Sequence, residues 1–259
     1  EKIIFIGGRV NPPSVSDNQG NSTWRKLYVE AAINYRRNFG KHNVSGLVLG
    51  NAQRYTANGQ SFNIPSGLMG LVGRTTYNFD QKYLAEFNLG INGTENFAPK
   101  NRFGIFPALS AGWIISNESF FHKNDIITWA KLRASYGEVG NDQIGGRRYL
   151  YLPNTWVVNG AGSFWGNSDG SSTNPNFPGA TESALGNSLV TWERAQKYNF
   201  SADLKFFKDK LSLSGSVFLE KRNNILVTSS LIPSTFGVPQ ANTPPLNLGK
   251  VSNRGYEIE

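Results

Sequence analysis

Residues Lys131 to Asp142 read KLRASYGEVGND. Through Tyr136 the run alternates, with Leu132, Ala134 and Tyr136 pointing one way and Lys131, Arg133 and Ser135 the other. A period of two is the mark of a β-strand, because successive side chains leave opposite faces of the pleat. One face is apolar and the other polar, so this strand requires two unlike surroundings. Gly137, Gly140, Asn141 and Asp142 then read as turn chemistry that ends it.

The alternation recurs on both sides of this run. Leu27, Val29, Ala31, Ile33 and Tyr35 oppose Lys26, Glu30, Asn34 and Arg36, and a weaker strand follows from Val44 to Gly50. In a third, Met69, Leu71, Tyr77 and Phe79 face away from Arg74 and Asn78; in a fourth, Tyr83, Ala85, Phe87, Leu89 and Ile91 alternate with Glu86 and Asn88. A fifth is expected over Phe106 to Ser116, and the opening run is the sixth. The seventh sets Trp192, Tyr198, Phe200, Ala202 and Leu204 against Glu193, Lys197, Asn199 and Asp203. The eighth sets Leu211, Leu213, Val217 and Leu219 against Ser212, Ser214 and Glu220. The ninth, Gly255 to Glu259, stops in mid-alternation, so the chain reads as a fragment.

The connections carry a second rhythm. Short turns near Phe39 to Asn43, Asp80 to Lys82 and Phe207 to Lys210 alternate with longer segments at 51 to 66, 93 to 104, 141 to 191 and 223 to 250. The intermediate stretch from Asn117 to Ala130 falls on the short-turn side. In an antiparallel meander every second connection returns to the same end, so short and long connections segregate, as they do in a bacterial outer-membrane barrel. A soluble sandwich or propeller also alternates, but its loops need not segregate. Nor does a soluble core readily leave Arg74, Glu86, Lys197, Asp203 and Glu220 together on the second face of long strands, whereas a wide barrel lumen accepts them.

Composition narrows the classes. The 259 residues include 17 Phe, 10 Tyr, 6 Trp and 28 Gly, a mixture suited to strands and turns. There is no Cys, which excludes disulfides and thiolate metal sites, and the two His, His42 and His122, stand too far apart for a local metal or triad motif. The formal net charge is +8, but Lys and Arg are scattered singly, without a basic run or nucleic-acid motif, so no nucleic-acid partner is expected. No apolar run of roughly 18 residues exists, hence no transmembrane helix. The opening EKIIFIGGRVNPP lacks the apolar core and cleavage signature of a signal peptide.

Three longer stretches carry a resemblance: YLAEFNLGINGTENFAPKNRFGIFPALSAGW (residues 83–113), KLRASYGEVGND followed by Ile144 and Gly145, and LVTWERAQKYNFSADLKFFKDKLSLSGSVFLEKRNNIL (residues 189–226). With the closing LGKVSNRGYEIE they are similar to the SusC/RagA family of TonB-dependent outer-membrane transporters, closely over residues 67 to 259 and loosely over the first twenty. The resemblance implies an all-β fold, a partial antiparallel transmembrane β-barrel in which residues 1–259 supply about nine strands of roughly 22. It implies short periplasmic turns, extracellular loops at 141–191 and 223–250, and location in the outer membrane of a Bacteroidetes-type Gram-negative cell. The family's plug, TonB box and final strands are not expected within this sequence. Its implied function is import of oligosaccharides or peptides, driven through TonB, beside a SusD-like surface lipoprotein and surrounded by outer-membrane lipid. The alternatives are a scaffold barrel in a larger outer-membrane assembly and a soluble β-rich binding module.

No enzyme activity, cofactor or metal is expected. The Gly-rich runs do not open helices, and GNSDG departs from the spacing of a Ca²⁺ loop. Arg74, Glu86, Arg133, Lys197, Asp203 and Glu220 are expected to face the lumen and to hydrogen-bond across strands. The long loop carries Arg147, Arg148, Tyr149, Tyr151, Trp156, Phe164 and Trp165. Aromatic faces beside polar side chains suit stacking on a sugar; the alternative is that these rings pack the loop onto itself or a partner. Trp24, Trp113, Trp129 and Trp192 fall near strand ends and are expected in interfacial girdles.

Overall fold

The computed structural model describes residues 23–57, 65–122, 126–143, 148–153, 157–159, 179–181, 185–227 and 245–259. Among them, nine long strands pair antiparallel in chain order: β1 (Trp24–Phe39), β2 (His42–Ala57), β3 (Ser66–Phe79), β4 (Tyr83–Thr94), β5 (Phe103–Trp113), β6 (Ile127–Asn141), β9 (Glu193–Phe206), β10 (Leu211–Val227) and β11 (Leu246–Ile258). A separate ribbon pairs β7 (Val157–Asn159) with β8 (Gly179–Thr181) inside the connection between β6 and β9.

Register follows the alternation read from sequence. Phe39, His42, Phe79, Tyr83 and Trp113 are successive partners across β1 to β5, near the tight turns. The row continues through Leu132, Ala202, Gly215 and Ile258. Three residues along, on the other face, the row is polar: Ser45, Thr76, Glu86, Ser110, Ser135 and Asn199 are partners in turn. Most of the exposed large hydrophobic side chains, among them Ile33, Leu71, Phe87, Leu109, Phe200 and Val217, belong to the apolar face. No second layer of protein covers that face among the described residues.

Tight turns close the short-connection end. Gly40 takes φ +57 between β1 and β2, where a residue without Cβ is unstrained. The β3–β4 turn instead uses Asp80 and Gln81 at φ 49 and 52, and the β9–β10 turn uses Phe207, Lys208 and Asp209 at φ 53, 58 and 66. Asn224, at φ 58, lies where β10 shifts register against β11, a bulge that absorbs extra residues.

Several boundaries differ from the sequence expectation. β2 continues to Ala57, β5 begins at Phe103, and β11 begins at Leu246 rather than near Gly255. β6 runs through Gly137 and Gly140 to Asn141 instead of dissolving at the first glycine. The reason is steric. A Cβ on Gly140 would stand 2.0 Å from Phe106 Cζ, and one on Gly104 would stand 2.4 Å from it. The two glycines make room for the Phe106 ring rather than a turn. The β5–β6 ladder accordingly stops at Ala108↔Gly137, although both strands continue.

Candidate functional site

The polar face is a network of ion pairs spanning neighbouring strands. Arg74 Nη2 lies 3.0 Å from Glu86 Oε2, and Asn88 donates to the other oxygen at 2.8 Å. Arg133 binds both oxygens of Asp203, and Ser214 Oγ donates to Oδ1 at 2.8 Å. Lys197 stands 3.7 Å from Glu220, which also receives Arg222 at 2.9 Å; Arg222 reaches Glu193 at 3.1 Å. The six residues expected on one wall therefore do share a face and pair there as Arg74–Glu86, Arg133–Asp203 and Lys197–Glu220. Arg222 and Glu193 extend the network; alternation placed Glu193 on this face without its partner, and Arg222, at the far end of its strand, was not singled out from sequence. Thr76, Glu86, Ser110, Arg133 and Asn199 border a shallow basin of about 530 Å³. Every carboxylate in the network already has a cationic partner, so the face offers hydrogen-bonding capacity without an unpaired acid or base.

A second site lies at the long-connection end. Phe97, Phe106, Leu150, Val190 and Trp192 form a buried cluster, with ring centroids 5.4 Å apart for Phe97–Trp192 and 5.3 Å for Phe106–Trp192. Trp192 is 5% exposed, so it is a packing residue and not part of an interfacial girdle. Trp24, by strand parity, belongs to the polar face beside Tyr55. Trp113 does stand on the apolar face near the short turns, where its Nε1 donates to Glu118 at 3.1 Å. His42, expected in a turn, opens β2 on that same face with Nδ1 2.8 Å from the Tyr77 hydroxyl.

Around the cluster, connections are tied to one another. Tyr149 donates to Glu95 Oε2 at 3.1 Å, and its hydroxyl lies 3.3 Å from Pro65 O; Arg148 lies 3.6 Å from Glu95 and stacks over the Tyr149 ring at 4.6 Å. Asn96 donates to Asp142 Oδ2 at 3.2 Å, Asn101 to Val190 O at 3.2 Å, and Asn247 to Thr191 O at 2.9 Å. Burial, aided by the Glu95 carboxylate, pushes the Tyr149 hydroxyl up to about 12. Glu95, Asn96, Asp142 and Asn247 escaped the sequence reading because each tie joins residues far apart in the chain.

Of the expected loop contacts, Arg148, Tyr149 and Tyr151 are brought together here, whereas Arg147, Trp156, Phe164 and Trp165 lie outside the described residues. Tyr149 is 3% exposed, with its hydroxyl spent on Glu95 and Pro65. Its ring cannot receive a sugar, which corrects the stacking expectation for that residue: it anchors the connection. Tyr151, 6.3 Å from it edge-on, is only half-buried. Arg148, Asp142, Asn96 and Glu95 line a polar hollow of about 350 Å³ at this rim. Among the described residues no group of three or more His, Asp or Glu could hold a metal ion.

The polar outward residues at this end mark where the apolar band stops. The first is Arg25 on β1, Arg54 on β2, Glu138 on β6, Lys221 on β10 and Arg254 on β11. Glu138 and Lys221 share one row through Gln196, but averaged from β1 to β11 the border slips by a little over one residue per strand. With strands about 4.8 Å apart and a rise of about 3.3 Å per residue, a level border corresponds to a strand tilt of about 40°. The outward residues of β4, Tyr83 to Gly93, then span a band of about 25 Å along the sheet normal to that border, the height of an outer-membrane apolar belt.

A sequence model of the family described as TonB dependent receptor-like, beta-barrel matches residues 8–259. TonB-dependent receptor P39 of Formosa agariphila is 31% identical over 191 residues, which cover 74% of this chain and 17% of that protein. TonB-dependent receptor SusC of Bacteroides thetaiotaomicron is 26% identical over 192 residues, 74% of this chain and 18% of that protein. The chain thus spans under a quarter of the length of the curated relatives it matches, 22% at most for TonB-dependent receptor P3 of Formosa agariphila. Among solved structures, the RagAB peptide transporter superposes with a TM-score of 0.72 at 19% identity, covering 92% of this chain and 28% of that one. The siderophore receptor PirA from Pseudomonas aeruginosa gives 0.56 at 13% identity, over 92% and 39% of the two chains. These superpositions show a shared barrel-wall fold.

Proposed function

The chain belongs to the TonB-dependent receptor-like β-barrel family, and from that premise we propose that residues 1–259 form part of the barrel wall of a SusC-like outer-membrane importer. In this reading the apolar face meets lipid, the paired charges of the polar face line the lumen, and the connections from β6 to β9 and from β10 to β11 reach the cell exterior. The observation that carries it is the tilted apolar band: a soluble sheet would hide this face in a core, yet Leu109, Phe200 and Val217 are half exposed with nothing over them. Lipid is the medium that makes such a surface stable.

Transport is binding and gated translocation, with no bond made or broken. The cargo is an oligosaccharide or a peptide. Tyr151 and Arg148 at the rim, with Arg147, Trp156, Phe164 and Trp165, make the first contacts with it, while Tyr149 holds their connection in register. A SusD-like lipoprotein sits over the same connections, and TonB engages a part of the whole protein outside these residues. The RagAB structure, named as a peptide transporter, supplies one cargo class to be tried, and the resemblance to the SusC/RagA family supplies the other.

The deciding experiment is uptake of labelled oligopeptides and oligosaccharides by cells carrying or lacking the full-length gene, with and without an active TonB system. Uptake of one class that requires both supports the reading. A full-length protein that resides in the outer membrane while uptake of neither class depends on it would leave a scaffold role instead.

A further inference from the structure

One groove on the apolar face is unlike the rest of it. It opens at the long-connection border across β1 to β5, holds about 230 Å³, and is floored and walled by Leu27, Val29, Ala52, Met69 and Phe103. By register all five point outward, away from the charged face. The hollow exists because the small residues Ala52, Gly67 and Gly93 stand between larger neighbours. A strand added beside β1 would pair in the plane of the sheet and leave this outward groove open.

Two guanidiniums complete it. Arg54 and Arg102 both line the groove. Arg102 Nε is buried without a hydrogen-bond partner, and among the described residues Arg54 makes no ion pair or hydrogen bond. The one carboxylate at the groove, Glu95, is already held by Arg148 and Tyr149. The site thus combines an apolar slot within the belt with unspent positive charge at its border. Further along that border, Arg25, Lys221 and Arg254 also face outward, and Glu138 is bridged to Arg194.

Resting on the outer-membrane reading above, we propose that this groove seats an acyl chain of an anionic, phosphate-bearing lipid of the extracellular leaflet, with Arg54 and Arg102 holding the phosphate. The pairing follows from charge and depth. A buried guanidinium nitrogen such as Arg102 Nε is costly without an acceptor, and the open arms of the half-buried Arg102 and the exposed Arg54 suit a phosphate at the belt's edge in a bidentate geometry that Lys would not match. The volume admits a segment of one chain and not a whole lipid, so the headgroup must remain outside, level with the two arginines. A zwitterionic lipid brings the chain without the net charge; a soluble anion brings the charge without the chain.

The test uses the full-length protein, incorporated in nanodiscs containing phosphatidylglycerol, phosphatidylcholine, or phosphatidylcholine with added inorganic phosphate, with retained lipid counted by native mass spectrometry. Phosphatidylglycerol should be retained preferentially. Arg54→Gln combined with Arg102→Gln should lower its retention at least about fivefold, two surface cation contacts being removed. Ala52→Phe, which fills the slot and leaves the charge unchanged, should do the same. Equal retention of phosphatidylcholine, indifference to these substitutions, or a second protein copy released from the groove on Ala52→Phe would overturn the proposal. If the full-length protein fractionates away from the outer membrane, the membrane reading itself fails. If it inserts and transports while lipid retention ignores Arg54 and Arg102, the groove assignment alone falls.

Discussion

Arg133 holds Asp203 with two arms of its guanidinium, Nε at 2.7 Å from one carboxylate oxygen and Nη2 at 2.8 Å from the other, across the β6–β9 ladder. Asp203 is directly opposite Lys131, so Arg133 reaches it diagonally from the neighbouring rung. Both side chains keep contact with water, and the pair is worth about 1 kcal/mol or less. Arg133→Gln should therefore lower the unfolding free energy of the reconstituted full-length protein only slightly. The exchange Arg133→Asp with Asp203→Arg should recover most of the loss caused by Arg133→Asp alone. Urea midpoints for the cycle check this; an exchange variant weaker than either single variant would refute a cross-strand pair.

Leu109 and Ser110 are adjacent but belong to opposite faces of β5. Leu109→Arg puts a guanidinium near the middle of the apolar band and should cost about 2–4 kcal/mol. Ser110→Arg, whose partner is Glu86, should be tolerated. Outer-membrane yield and unfolding in lipid vesicles measure both. Equal sensitivity of the two sites would be incompatible with one face meeting lipid.

Phe106 wedges between Gly104 and Gly140 and packs on Trp192. Phe106→Ala should cost about 3–5 kcal/mol through loss of buried area and the cavity left behind. Gly140→Val should be damaging too, because the new side chain contests the space of the ring. The pair Phe106→Ala with Gly140→Val should be less destabilised than the sum of the singles, as read by thermal unfolding; strict additivity would place the ring elsewhere.

Tyr149 makes its connection sensitive to alkali. Its raised value, about 12, means the neutral hydroxyl is the form the fold favours. That contribution is complete below the ordinary phenol value of about 10 and disappears as pH rises from there through 12. Tyr149→Phe should loosen the connection at every pH by about 1–2 kcal/mol. Cleavage of residues 142–192 by a protease active in alkali should be flat to pH 10 and then climb in the native protein, and should be fast throughout in the variant.

Glu118 responds to acid. Hydrogen bonds from Tyr83, then Trp113 and Lys82, hold its carboxyl below the usual range. The stabilisation is present above the unfolded value of about 4.3 and is lost as pH falls through the lowered folded value. Limited proteolysis of the β5–β6 connection at pH 7 and pH 3 should show protection only at the higher pH. In Glu118→Gln the difference should shrink; an unchanged difference would assign the acid response to another group.

Alternation made much of this wall legible in advance. Leu132, Ala134 and Tyr136 share a face because a period of two leaves no other choice, and the charged partners of the polar face follow from the same rule. The upper end of β6 was not legible, since Gly137 and Gly140 look like turn residues until Phe106 is seen to occupy the space they leave. Trp192 and Tyr149 were misjudged for a related reason. An aromatic ring at a strand end or in a loop carries no local sign of whether it meets solvent or is buried by a connection fifty residues away. The meeting of Arg54 and Ala52 with Arg102 was hidden as well, because two strands, β3 and β4, lie between them.

Because the β5–β6 ladder ends at Ala108↔Gly137, the rungs above that point are missing while those below remain. Side chains alone bridge the open length: the Phe106 ring, and Arg194 reaching Ile105 O at 3.4 Å. At its long-connection end this seam is therefore held by side-chain packing, one aromatic ring seated between two glycines, where every other seam of the sheet is held by the main chain.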